Sequence, residues 1–589
     1  MKNRLISLLL INLFFISFAF PLPPVFGPEY DGKTQKDELT RTYISPQRIV
    51  WKSNDKLIRN ENVLLEQGNS QAEMGRRNTC LMRRTASLTP SIILDYGKEL
   101  HGGLQLVLGG SSRRLPSLVR IRFGESVGEV NSEISPSGWM VGYSTDDHAK
   151  RDIVMEIPRE GLIEIGNTGF RFVRIDLLQE KTDINIKEAR AILRYRDIPY
   201  LGSFNSSNER LNRIWLTGAY TVHLNMQEYL WDGIKRDRVI WLGDMHPEVV
   251  TINKVFGYNE VVPKSLDLAC EQFPLPAWMN GISAYSLWYL IIHHDWFMQN
   301  KDIDFLRKHE DYISGLLDLI SSKVDEDGTE TLAMKERFLD WPSTPNSKGV
   351  EAGHRALIVW AMNDAVKLAE VLNRPDLKEL AEDIADRIKK KTVDPNGLKQ
   401  GAALMAIAGI MDTERASDDV VAVGGPAGFS TFYGYYMLEA LAMAGEYDLA
   451  MSIITEFWGA MLDMGATTFW EDFNMEWLDN AARLDEITPV GKKDIHGDFG
   501  AYCYPGFRHS FCHGWSAGPT AWLTEHVLGV KPVEAGYKMV KIEPHLGDLE
   551  WVEGTVPTPY GIISVKHTKN GDKIDSKISV PKGVKVLKN

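Results

Sequence analysis

The hydrophobic period of this chain changes twice, and those two changes constrain its fold more than any other feature. From about Arg41 to Tyr200 apolar residues recur at every second position, as in Leu104-Gln105-Leu106-Val107-Leu108 and Phe170-Arg171-Phe172-Val173-Arg174-Ile175. Leu118-Val119-Arg120-Ile121-Arg122-Phe123 repeats the pattern, with Gly, Ser and Pro between the runs. That is the signature of short strands, and it predicts an N-terminal β-sandwich over 41–202. Near Ser203 the period lengthens to that of a helix. Segments 211–230, 282–299, 303–322, 353–372, 377–390, 431–444 and 447–464 are examples among roughly a dozen up to about residue 529. From 530 to 589 alternation returns, in Met539-Val540-Lys541-Ile542-Glu543, Gly561-Ile562-Ile563-Ser564-Val565 and 575–580, with a turn at Gly571-Asp572. A chain of 589 residues is too long for one core, so two to four domains are expected. Helix pairs joined by loops dense in Trp, Asp, Gly and Pro suggest an α/α toroid with a pocket at one end. No repeat of the length that marks a helical solenoid is visible.

The ends and the charge narrow the setting. Met1-Lys2-Asn3-Arg4 is basic and 5–20 is almost continuously apolar, the layout of a secretory signal peptide over about 1–25. A Pro/Gly-containing spacer follows to about Thr40. The apolar run is at the short end for a membrane span and no second one follows, so a periplasmic or secreted protein with no stable span after signal removal is expected. A formal net charge of −13 argues against nucleic acid, whose phosphates need clustered Lys and Arg. The one basic cluster, Arg76-Arg77 and Arg83-Arg84, reads as a solvated face or loop. Four scattered cysteines, the first at Cys80, permit disulfides but suit buried free thiols equally well.

Three segments carry unusual chemistry. Trp231-Asp232-Gly233-Ile234-Lys235-Arg236-Asp237-Arg238-Val239-Ile240-Trp241-Leu242-Gly243-Asp244 mixes acids, bases and Trp after a helix, and reads as a loop at the toroid mouth. Charges this dense must be paired if buried, so an Asp–Arg network that merely holds the loop is the structural alternative. The second segment, Gly465 to Trp477, contains Trp470-Glu471 and Glu476. The third, Arg508 to Pro519, contains His513 and Trp515. Asp340-Trp341 and Trp278 stand in further loops that join Trp to acids or prolines. None of the local zinc spacings is present, and neither a metal nor a cofactor is implied. Separated carboxylates on Trp-lined loops are what glycoside hydrolysis needs: one acid protonates the departing oxygen and a second carboxylate activates water or attacks the sugar. No strained serine elbow for acyl transfer is found.

With these segments in view, the chain resembles the glycoside hydrolase family 78 α-L-rhamnosidases from Asp95 into the C-terminal domain. Asp232, Asp237 and Asp244 reproduce the family's acid spacing, with Arg236 beside the middle acid. Gly465-Ala466-Thr467-Thr468-Phe469-Trp470-Glu471 and Ser510-Phe511-Cys512-His513-Gly514-Trp515 resemble two further family segments in the same order. The resemblance implies an inverting enzyme built on an (α/α)6 toroid, residues 203–529, flanked by N-terminal and C-terminal β-sandwich domains. It would remove terminal α-L-rhamnose from an oligosaccharide, polysaccharide or glycoside. It makes Asp237 the general acid and Glu471 the general base, with Asp232, Arg236, Asp244 and His513 binding sugar hydroxyls. Trp241, Trp278, Trp341, Trp470 and Trp515 become candidate walls, and Asp340 a further sugar ligand.

One position departs from the family: the acid is usually Glu, and Asp237 is one methylene shorter. The loop compensates, or Asp244 donates instead, or activity is weakened. Glu476 competes with Glu471 as base. Another toroid hydrolase, such as a fucosidase or an unsaturated-uronide hydrolase, and an inactive sugar-binding protein are the rival functions.

Overall fold

The structure, a computed structural model, describes residues 37–73, 77–133, 151–333, 336–391, 393–571 and 573–587. The expected signal peptide lies outside the described residues, as do Arg76 and Asp572. Among the described residues no helix is long and apolar enough to cross a membrane.

The N-terminal part is one antiparallel sheet of nine strands. Its centre is the long strand Ser91–Ser111, which pairs with Gly161–Leu177 on one side and Thr182–Tyr195 on the other. Register shifts between Asp95 and Leu100 and between Gly102 and Leu104 bend that strand, and bulges of this kind let a sheet curl over its own apolar face. Leu94, Leu104, Leu106, Val119, Ile121, Phe123, Val173, Ile175 and Ile186 fill the interior. Alternation is legible in Gly161–Leu177 at its start, but Ser91–Ser111 is buried along nearly its whole length because neighbours cover both faces.

Helices then alternate between buried and half-buried kinds. All residues of Leu242–Val255 are buried, and Ser283–Asn300 is nearly so. Glu310–Ser321 and Pro375–Lys389 bury only one stripe, with Leu316, Leu317 and Ile320, or Leu377, Ala381 and Ile384, facing inward. Inner helices wrapped by amphipathic outer ones make the toroid. Several expected bounds differ. The first helix is Glu209–Asn225, since Leu230 already belongs to a turn that bridges to Met226. Segment 303–322 is split at His309, and Ser347–Leu372 starts well before Gly353. Asp244, expected in a loop, stands in the first turn of the helix Leu242–Val255; periodicity hid that helix because every face of it is covered.

The strand Ser203–Ser206 opens the helical region yet pairs with Trp551–Thr558 in a four-stranded sheet near the C-terminus. A three-stranded sheet, Val530–Pro532, Met539–Ile542 and Lys585–Val586, completes that part. All four cysteines are free thiols, and Cys80, Cys503 and Cys512 are buried. Arg83 is paired with Asp183.

Candidate functional site

The acid-rich loop runs from the end of Glu209–Asn225 to the start of Leu242–Val255 and is fixed along its length. Gly233 pairs with His513 in an isolated antiparallel bridge, and Gly514 N donates to the Asp232 carbonyl at 2.9 Å. Gly514 also leaves room for Glu248: a Cβ there would stand 1.7 Å from Glu248 Oε1. Val239 N donates to Asp232 Oδ1 at 3.0 Å. Asp237 and Arg238 both take left-handed backbone angles, φ 55° each. Two such residues in a row, neither of them glycine, are strained, and strain of this kind persists where the surroundings over-determine it, typically at functional sites.

Lys235 anchors the loop to the N-terminal part. Its ammonium is fully buried and lies 3.2 Å from Glu125 and 3.0 Å from Glu129. It also donates to the carbonyls of Phe507 and His509. Both glutamates come from the turn and short helix Val127–Asn131, where Ser126 caps Glu129 N at 3.1 Å. Glu125 Oε2 accepts from Phe511 N at 2.7 Å, next to Ser510, whose own N donates to Glu471 Oε2 at 3.1 Å. Burial pushes Glu125 up to about 7, against the pull of Lys235.

Arg236 gathers the central carboxylates. Its Nη1 donates to Asp237 Oδ2 at 3.0 Å and its Nη2 to both oxygens of Glu471 at 2.5 Å, while Nε is held by the Arg508 carbonyl. Burial raises the Glu471 pKa, but Arg236, His513 and His509 outweigh it and the net shift is downward. Asp244 accepts from Tyr285 at 3.2 Å and pairs with His513 Nε2 at 3.0 Å; burial still drives it upward. Burial, then the charges of Asp237 and Asp244, push Asp232 well above the usual carboxylate range. Adjacent carboxylates are thus driven apart, one held ionised and two pushed toward the neutral form, as sites of acid–base chemistry require.

These groups face one cavity of about 390 Å³. Of the twelve expected residues, Asp232, Arg236, Asp237, Trp241, Asp244, Trp341, Glu471, His513 and Trp515 line it. Trp278, Asp340 and Trp470 do not. Trp278 packs against the helical core before the turn Met279–Gly281. Asp340 is 1% exposed and accepts from Ser343, Gln400 and Ser430, so it holds its loop rather than a ligand. Trp470 is fully buried and stacked on Phe511 at 4.2 Å. Glu476 is exposed on the turn Met475–Asp479, away from the cavity. Tyr285, Arg337, Phe338 and Tyr504 are among the other residues that line it. Tyr285 and Arg337 carried no sequence signal, the first because it lies in an apolar inner helix; the aromatic stretch from Phe499 to Pro505 could have pointed to Tyr504. Cys503 also lines the cavity, but burial first and Glu471 second push its thiol up to about 12, which favours the neutral thiol over the thiolate.

Comparison with known proteins places the fold in a family. The family model of the bacterial alpha-L-rhamnosidase 6 hairpin glycosidase domain matches residues 199–527, and that of the bacterial alpha-L-rhamnosidase C-terminal domain matches 529–587. An alpha-L-rhamnosidase of Alteromonas sp. (strain LOR) is 24% identical over 83% of this chain and 55% of its own length. One from Formosa agariphila is 21% identical over 86% of this chain and 56% of its own. The chain therefore spans about half the length of the curated relatives it matches. The fold is similar to the family 78 rhamnosidase of Bacillus sp. GL1, with a TM-score of 0.72 at 20% identity over 90% of this chain and 55% of that one. It is also similar to a rhamnosidase from Klebsiella oxytoca solved with rhamnose bound, with a TM-score of 0.63 at 18% identity over 83% of this chain and 96% of that one. With more than half of its residues matched by the first model, and with the toroid and its acid-lined cavity in place, the chain belongs to the bacterial α-L-rhamnosidase six-hairpin glycosidase family.

Proposed function

We propose that this protein removes terminal α-L-rhamnosyl residues from glycans or glycosides by single-step hydrolysis with inversion. The observation that carries the reading is one guanidinium, Arg236, hydrogen-bonded to both Asp237 and Glu471 in a cavity walled by Trp241, Trp341 and Trp515. In this reading Asp237 gives its proton to the glycosidic oxygen as the bond to C1 breaks. Glu471 takes a proton from the water that attacks C1 on the opposite face. The roles follow from position. The Asp237 side chain is 14% exposed against 4% for Asp244 and for Glu471, so it is the acid best placed to reach an oxygen whose other substituent departs to solvent. Asp232 and Asp244, driven toward their neutral forms, suit hydroxyl recognition, and the aromatic walls suit the C6 methyl group of a deoxy sugar. The apolar start at 5–20 supports export to the periplasm or beyond.

Proton NMR of an aryl α-L-rhamnoside during the first minutes of hydrolysis tests the mechanism. β-L-Rhamnose should appear first. Early α-L-rhamnose would replace inversion with a two-step route through a covalent intermediate, and no release would remove the activity. The acid has its own test. Asp237→Asn should lose about 10²–10⁴-fold in kcat on rhamnosides with poor leaving groups. It should lose far less on 2,4-dinitrophenyl rhamnoside, whose leaving group needs no proton. Equal losses on both substrates would take the acid role away from Asp237.

A further inference from the structure

Three stretches that wall the first cavity place an adjacent residue in a second one. Trp341, Glu471 and Cys503 line the first, while Pro342, Asp472 and Tyr502 line a neighbouring cavity of about 330 Å³. The two spaces therefore share a wall three loops wide. The second cavity contains Lys399, 8% exposed, whose ammonium donates to the Gly425 carbonyl at 2.8 Å and lies 5.1 Å from the centre of the Phe429 ring. Among the described residues no carboxylate lies within ion-pairing distance of it. Burial pulls its pKa down to about 8, so the charge is held with little help from the protein. A buried ammonium normally has a counter-ion, because desolvating an unpaired charge is costly.

The remaining lining has the chemistry of a sugar site. Trp477 is stacked on Phe499, and Tyr502 is 45% exposed with a left-handed φ of 56°. Asp472 is 6% exposed, and one of its oxygens accepts from Phe473 N at 2.9 Å. Burial pushes that carboxyl up to about 7, against ordinary values near 4, so much of it carries a proton at neutral pH and offers a donor to an acceptor oxygen. Flat aromatics beside hydrogen-bonding groups are what a pyranose ring requires.

We propose that this second cavity binds an acidic sugar, a hexuronate residue of the glycan, with its carboxylate on Lys399 and its ring against Trp477 and Tyr502. The proposal takes from the glycosidase reading only that the ligand is part of a glycan; the binding itself does not depend on turnover. It makes the preferred substrate an acidic polysaccharide or oligosaccharide rather than a neutral glycoside.

The full chain should be titrated with sodium glucuronate and sodium galacturonate, and with glucose and galactose, by calorimetry or saturation-transfer NMR. At least one uronate should bind 10-fold or more tightly than its neutral counterpart. That preference should vanish in Lys399→Met and in Lys399→Gln, the second of which keeps a donor for Gly425. It should survive in Glu471→Gln, which disables only the first cavity. Absence of uronate binding, a preference that persists without Lys399, or one that disappears with Glu471 would each overturn the assignment. Failure of the glycosidase reading would show separately, as no rhamnose release from an aryl rhamnoside by a protein that still binds uronate.

Discussion

Glu471→Gln is expected to lower kcat by about 10²–10⁴-fold while changing KM little. Glutamine has nearly the same shape, and with its carbonyl at the Oε2 position it still accepts from both Arg236 and Ser510 N; only the second bond to Arg236 is lost, so the cavity should keep its form. What disappears is the capacity to take a proton from water. Arg236 sets the terms of that capacity: by favouring the carboxylate it keeps the base ionised further into acid and makes each carboxylate a weaker base. The acidic limb of the kcat profile should accordingly lie below that of an ordinary glutamate, near pH 4.3. Arg236→Met should move it upward.

Linkage gives a second readout from the same residue. A glutamate depressed in the folded state adds stability above its unfolded pKa and loses it as pH falls through the folded value. The stability difference between wild type and Glu471→Gln should therefore be largest at neutral pH and shrink in acid. More than a tenth of wild-type kcat in the amide variant, with an unshifted acidic limb, would remove Glu471 from the role of base.

Lys235→Met is expected to destabilise the folded chain by about 3–5 kcal/mol, the usual consequence of removing one partner of a buried ion pair. The methionine fills a similar volume, but Glu125 and Glu129 would remain buried, with Arg151 on Glu129 as the remaining Lys or Arg partner among the described residues. Adding Glu129→Gln should recover part of the loss, because residues in one network do not act additively. Denaturant melts of the two variants measure this. A loss below about 1 kcal/mol for the single variant would show that the cluster relaxes or admits water, against the strong coupling expected of a buried network. Activity should fall alongside stability. Lys235 adjoins Arg236, and Glu125 holds Phe511 beside the Ser510 amide that contacts Glu471. The N-terminal part thus acts as a positioning element for the site: Glu125 and Glu129, from the turn and short helix after the strand Ser117–Gly124, fix the loop on which the acids stand.

How legible the site was depended on what each side chain faces. Asp232, Asp237 and Asp244 stood out as a dense group beside Trp, but composition left a structural Asp–Arg network open, and it was the resemblance in their spacing that marked them as a site. Their separate electrostatic states were not visible, since these follow from burial, from where the Arg236 guanidinium is directed, and from His513, which arrives from a distant part of the chain. Trp470 and Glu471 are neighbours in sequence with opposite fates: one is stacked on Phe511 in the interior and the other faces the cavity. Composition cannot separate them, because the turn of the backbone between them decides. Asp340 shows the same limit, as an acid beside Trp341 whose oxygens are already taken by Ser343, Gln400 and Ser430.

Periodicity, a local property of the backbone, was enough to divide the chain into strands, helices and strands again, and the clustering of acids with Trp pointed to most of the loops that line the cavity. The closing of the sheet over its core, the pairing of Ser203–Ser206 with Trp551–Thr558, the helix hidden at Leu242–Val255 and the hold of Glu125 on Lys235 were settled only in three dimensions. Each depends on contacts between residues far apart in the chain. Burial and charge pairing are properties of those contacts, and no pattern along the sequence encodes them.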